Sequence, residues 1–179
     1  MAIGKSAQGY SLFELMMTLT LAALVLTLGL PSFGNLVADK RMRTEVDALF
    51  HAVHLARKAS IVRRRVVSLC PSSDGETCTG ETDWSEGWLM FANVDRDDPP
   101  AVDPGEPILK RHIVGDTVRI QANRRGFTLR ATELRATNGT LIFCDREERT
   151  VPRALVVSYT GRPRVTREDS RGRPYACTN

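Results

Sequence analysis

The chain has 179 residues, a mean hydropathy of −0.22 and a formal net charge of +4. That length allows one ordinary domain plus an appendage, and outside one apolar run the sequence is too polar to be embedded in a membrane. The charge is segregated: residues 1–70 carry +5, residues 71–109 carry −9 and residues 110–179 carry +8, which raises an acidic partner as one reading of the basic C-terminal part.

In chain order, Met1–Gly9 forms a short leader with Lys5 as its only charge. From Leu15 to Ala38 no residue is charged. As a helix rising about 1.5 Å per residue this run reaches roughly 36 Å, enough to cross a bilayer core of roughly 30 Å with some tilt. An ordinary secretory signal is cut after its apolar stretch at small residues. No such site ends this run, so it is read as retained. Pro31 lies within it, removes a backbone donor and is expected to bend or loosen the helix. Glu14 is a carboxylate at the start of an apolar helix, where it is costly and calls for a partner. Cleavage after Gly9 would supply one as the α-amino group of Tyr10, or of a neighbouring subunit. The alternative is that Glu14 sits among lipid headgroups.

The run Gly9-Tyr10-Ser11-Leu12-Phe13-Glu14-Leu15 resembles the cleavage and methylation motif of type IV pilins and pseudopilins. The resemblance implies that prepilin peptidase cuts after Gly9 and methylates Tyr10. It implies that Glu14 pairs with a neighbour's N-terminus during assembly, and that Pro31 is the helix-kinking proline of many pilins. It further implies a bacterial inner-membrane protein in contact with membrane lipid, with one span and a periplasmic head, later joining a pilus or pseudopilus. The flanking cations Lys40, Arg41 and Arg43 favour the opposite orientation; the motif is followed because its peptidase acts on the cytoplasmic side.

Beyond Ala38 the pattern becomes amphipathic. Met42, Val46, Leu49, Val53 and Ala56 trace one stripe, broadened by Phe50 and Leu55, opposite Arg43, Asp47, His51 and Arg57. One helix is therefore expected over about 10–64, with 15–38 in the membrane and the rest packed on a head. Seven strands are predicted in that head, residues 65–179: Val66–Cys70, Trp88–Val94, Ile108–Val114, Val118–Gln121, Phe127–Arg130, Thr140–Cys144 and Leu155–Tyr159, broken by Gly, Pro and Asn138-Gly139. Strands without intervening helices predict an α+β fold, antiparallel sheets packed on the long helix.

Cys70, Cys78, Cys144 and Cys177 match no zinc spacing. Of their three connectivities, Cys70–Cys78 and Cys144–Cys177 are favoured, one closing a turn-rich loop and one pinning the tail. Chain entropy gives such loops about 2.6 and 3.8 kcal/mol respectively. The order helix, Arg-Arg, strand to Cys, then Gly87-Trp88-Leu89-Met90-Phe91 is similar to the GspH/FimT-like minor pilins and pseudopilins, whose partners are other major and minor pilin subunits.

No enzyme site or cofactor motif is read. His51 and His54 share a helix face without completing a ligand set. Asp95, Asp97 and Asp98, with Asn93 or Asp103, lack the Gly and terminal Glu of a calcium loop, and 95–107 is read as a solvated acidic loop with no metal. Arg162 and Arg164, two apart around Pro163, would share a face of an extended segment. Their spacing matches roughly that of adjacent phosphates on DNA, and a planar guanidinium suits phosphate. Arg167, Arg171 and Arg173 add charge, with Arg124, Arg125, Arg130 and Arg135 from earlier strands. Gly161-Arg162-Pro163-Arg164 resembles the DNA-binding motif of FimT-type minor pilins, which take up DNA in natural transformation. Three readings follow: a DNA-binding minor pilin, a structural minor pilin that primes or caps a pilus, and a pseudopilin of type II secretion.

Overall fold

The computed structural model describes residues 9–131 and 136–177, the side chains of 28–32 excepted. Leader residues Met1–Gln8, the side chain of Pro31 and Arg135 lie outside the described residues. The chain divides into two compact units, Met1–Val37 and Ala38–Asn179. One helix, α1 (Leu12–Arg63), contributes to both.

Ser11 opens α1. Its hydroxyl accepts a bond from the backbone N–H of Glu14 at 3.2 Å, the Ser-x-x-Glu arrangement that satisfies unpaired donors at a helix start. Glu14 thereby sits in the first turn, where the helix dipole favours a negative charge. In this first unit the large apolar side chains from Leu12 to Leu26 are exposed. Among the described residues no helix is long and apolar enough to cross a membrane.

The second unit holds the rest of α1 and two four-stranded antiparallel sheets. The strands are β1 (Val66–Pro71), β2 (Gly87–Asn93), β3 (Ile108–Ile113), β4 (Val118–Ala122), β5 (Phe127–Leu129), β6 (Gly139–Asp145), β7 (Arg153–Val157) and β8 (Pro163–Thr166). Their orders are β3-β2-β1-β5 and β4-β6-β7-β8. The fold is α+β, a long N-terminal helix with two antiparallel sheets. The seven expected strands are present within a residue or two at most ends. β8, which pairs with β7, is an eighth that is not among the expected strands.

The expected stripe is the packing face. Met42, Val46, Leu49, Val53 and Ala56 are buried in one cluster with Leu69, Met90, Ile120, Phe127, Phe143 and Leu155 from both sheets and Trp84 from the segment before β2. Leu55 turns outward instead, being one position off that face. An acid shares the stripe: Glu45 is 9% exposed. It bonds His112 Nε2 at 2.7 Å and accepts from the N–H of Gly115, and His112 stacks on Trp88. A buried carboxylate is tolerable only with such partners. Disulfides join Cys70 to Cys78 and Cys144 to Cys177.

Candidate nucleic-acid interface

The register of the second sheet brings its basic segments to one end. Ala122 of β4 opposes Leu141 of β6, Gly139 opposes Val157 of β7, and Val157 opposes Pro163 of β8. The β4–β5 turn with Arg124 and Arg125 and the β7–β8 turn with Arg162 therefore lie at the same end of the sheet. Arg124 donates to the Asn138 carbonyl at 3.0 Å, across that end.

The β7–β8 turn is tightly specified. Gly161 N–H donates to the Ser158 carbonyl at 2.8 Å, Ser158 N–H to the Arg162 carbonyl at 3.1 Å, and Arg162 N–H to Ser158 Oγ at 3.2 Å. Gly161 has φ +67°, and a Cβ there would stand 2.8 Å from Leu129 Cδ1, so only glycine fits both the backbone and the space. Beyond it, Arg162 and Arg164 are exposed while Pro163 between them is buried. That alternation is what a strand packed on one face produces, and it turns both guanidinium groups to solvent.

Helix α1 adds cations that the sequence reading did not join to this motif. A groove of about 590 Å³ is lined by His54, Arg57, Lys58 and Arg162 together with apolar Ile61, Val62 and Pro163. Arg57 Cδ lies 3.8 Å from where a Cβ of Gly161 would sit. The spacing of His54, Lys58 and Ile61 along one helix face was the available signal. Its meeting with Arg162, a hundred residues on, was not readable from spacing.

Other expected cations are placed differently. Arg173 is held by Asp169 at 2.7 Å, and the N–H groups of Arg171 and Arg173 both donate to the same carboxylate. These bonds, Arg173's first, hold the Asp169 carboxyl below its ordinary range. Arg173 is therefore committed to a local turn. Arg167 and Arg171 are exposed. In the acidic loop the structure gathers Asp95, Asp103 and Glu106, carboxylates within 4.8 Å of one another. The set that the sequence suggested also held Asp97 and Asp98. Crowding with Asp95 raises the Asp103 carboxyl, and burial raises Asp97.

The family model for the type II transport protein GspH matches residues 45–161. Among solved structures, the type IV minor pilin FimU of Pseudomonas aeruginosa is similar at 20% identity and TM-score 0.52, over 76% of this chain and 99% of that one. The minor pseudopilin EpsH of the Vibrio cholerae type 2 secretion system is similar at 7% identity and TM-score 0.51, over 70% and 96%. GspH of E. coli is similar at 14% identity and TM-score 0.50, over 73% and 90%. No curated protein sequence matches the chain.

Proposed function

The chain belongs to the GspH family of type II transport proteins, and from that premise we propose that it is a minor pilin that binds DNA non-specifically for uptake in natural transformation. As a member of that family it is a pilin-like component of a pilus or pseudopilus and not an enzyme, and other pilin subunits are its partners. The observation that carries the DNA reading is the pair Arg162 and Arg164, exposed on either side of buried Pro163 at the end of the sheet that also presents Arg124 and Arg125. Arginine forks at that spacing contact phosphate oxygens and carry no base information.

The N-terminal part of the proposal rests on the Gly9–Leu15 motif. Prepilin peptidase cuts between Gly9 and Tyr10 and methylates Tyr10. The run Leu15–Ala38 spans the inner membrane once, with the head in the periplasm, until Glu14 meets a neighbour's N-terminus and the subunit joins the filament.

The test is titration of the full chain in non-ionic detergent against labelled duplexes of unrelated sequence at several salt concentrations. Dissociation constants on the order of 10⁻⁴–10⁻⁶ M at physiological salt are expected, weakening as salt rises. Replacing Arg162 and Arg164 with Gln should flatten the salt slope by up to about 2 and leave the melting temperature in place. Unchanged affinity in a folded double variant removes these arginines from the interface. A second reading, a pseudopilus subunit of a type II secretion system, draws on the family description and the likeness to EpsH. It predicts no DNA affinity at low salt.

A further inference from the structure

The end of α1, the bend after β2 and the end of β5 meet around a second cavity, of about 560 Å³, lined by Arg64, Arg65, Arg96 and Arg130. Its apolar wall includes Ile61, which also lines the groove holding Arg162. The two depressions thus adjoin at one residue of the last helical turn. Arg57 and Lys58 lie in the groove on the Arg162 side. Among the described residues no carboxylate lines either depression.

Two features set the new cavity apart from an ordinary basic helix end. Cations near a helix C-terminus are favoured by the dipole, which accounts for Arg63, Arg64 and Arg65. It does not account for Arg96 and Arg130, delivered by separate elements of the first sheet. The second feature is the backbone. Arg64 has φ 50° and Arg96 has φ 68°, the left-handed region that glycine enters freely and a residue with a Cβ enters at a cost. The residue just past a helix is commonly Gly for this reason. Arginine occupies both positions, and both line the same cavity. Side-chain residues held in such conformations cluster at ligand-binding sites.

We propose that the Arg64–Arg65–Arg96 cavity is a second phosphate site, and that a phosphodiester backbone runs from the Arg162 groove past Ile61 into it. This rests on the DNA reading of Arg162 and Arg164 and lengthens its footprint. Guanidinium forks bind phosphate oxygens in bidentate fashion. The competing anion is the acidic loop of a second copy. Its compact group, Asp95, Asp103 and Glu106, would fill one depression. Cations in two adjoining depressions match a ligand whose charge repeats along its length, as it does at each step of a nucleic-acid strand.

The experiment uses the full chain in non-ionic detergent, with fluorescence anisotropy on labelled duplex DNA across a salt series. Four proteins are compared: wild type, R64Q/R65Q/R96Q, R162Q/R164Q and R64G/R96G. Each lost phosphate contact should reduce the slope of log K against log salt by about 0.9. The triple variant should therefore flatten it by about 2 to 3 and weaken binding at least tenfold at low salt. R64G/R96G removes two cations and the two left-handed arginines together. It should keep or raise the melting temperature while still losing affinity, which separates binding from folding. An unchanged slope in the triple variant, with loss in R162Q/R164Q, overturns the second site and leaves the first. Loss in the triple variant with R162Q/R164Q unaffected overturns the path from the Arg162 groove and leaves the cavity as a phosphate site by itself. No binding by wild type overturns both. Loss of self-association by the triple variant in sedimentation, with DNA affinity intact, assigns the cavity to the acidic loop of a second copy and overturns the proposal.

Discussion

The two halves of α1 both carry large apolar side chains, yet these meet opposite fates. From Leu12 to Leu26 the large side chains are exposed, Val25 at 70%; in the second half Leu49 is 1% exposed. Both halves are apolar enough to require burial. They differ in charge and in arrangement. The first half is apolar all round, which suits an environment that surrounds it, whereas the second confines its apolar residues to a stripe that two sheets can cover. Hydrophobicity creates the demand for burial, and periodicity decides whether the chain's own head can meet it.

The largest expected break in this contrast is in the core. Leu49→Ala should destabilise the head by about 2–5 kcal/mol, the range for deleting a buried leucine side chain. Leu24→Ala, an identical change in the first half, should stay within about 0.5 kcal/mol, as for surface sites. Urea denaturation followed by tryptophan fluorescence reads both, since Trp84 and Trp88 are buried in the head. Equal losses from the two variants would dissolve the distinction between the halves.

A smaller effect sharpens the boundary. Asp39 bonds Arg153 of β7 at 2.9 Å and Arg43 at 2.8 Å, and the Arg153 bond foremost holds its carboxyl below the ordinary 3.8. A carboxyl depressed in the folded state stabilises above its unfolded pKa and loses that contribution as pH falls through the folded one. Asp39→Asn should therefore cost at most about 1 kcal/mol at neutral pH, given its partial exposure. The gap from wild type should close as pH drops below about 4. A gap that persists in acid would assign the loss to packing.

On head stability the smallest effect belongs to Glu14→Ala, near zero. Its consequence lies in assembly: the variant should enter the membrane and be cut before Tyr10, yet incorporate poorly into pili. Intact-mass measurement and quantitation of sheared filaments check this, and wild-type incorporation by the variant would remove Glu14 from subunit pairing.

Much of the fold was legible because it follows from local pattern. The stripe Met42–Ala56 is a matter of spacing, and strands such as Gly87–Asn93 announce themselves as short apolar runs between turn residues. β8 is not among the expected strands because Pro163, Arg164 and Thr166 give no apolar alternation; its pairing comes from β7. Glu45 meeting His112 was unreadable, since nothing in a helix stripe specifies a partner 67 residues away. The candidate site divides the same way. Arg162 and Arg164 stand beside each other in sequence and were visible. The cavity of Arg64, Arg65 and Arg96 exists only because a helix end, a bend and a strand end converge. Its one local clue, arginine where a helix commonly ends in glycine, acquires meaning only once the backbone is known.

The Cys144–Cys177 bond has a mechanical consequence. Separated by 33 positions, these residues close a covalent ring that contains β7, the Arg162–Arg164 hairpin and β8. A tug on that hairpin splits into two arms. One runs back through β7, the other forward through β8 and the tail, and both converge on Cys144. That residue lies in β6, anchored by neighbours on either side, β4 and β7. An edge strand such as β8 would otherwise unzip one bond at a time. Inside the ring, peeling has a fixed maximum reach, and the load is handed to the interior of the sheet.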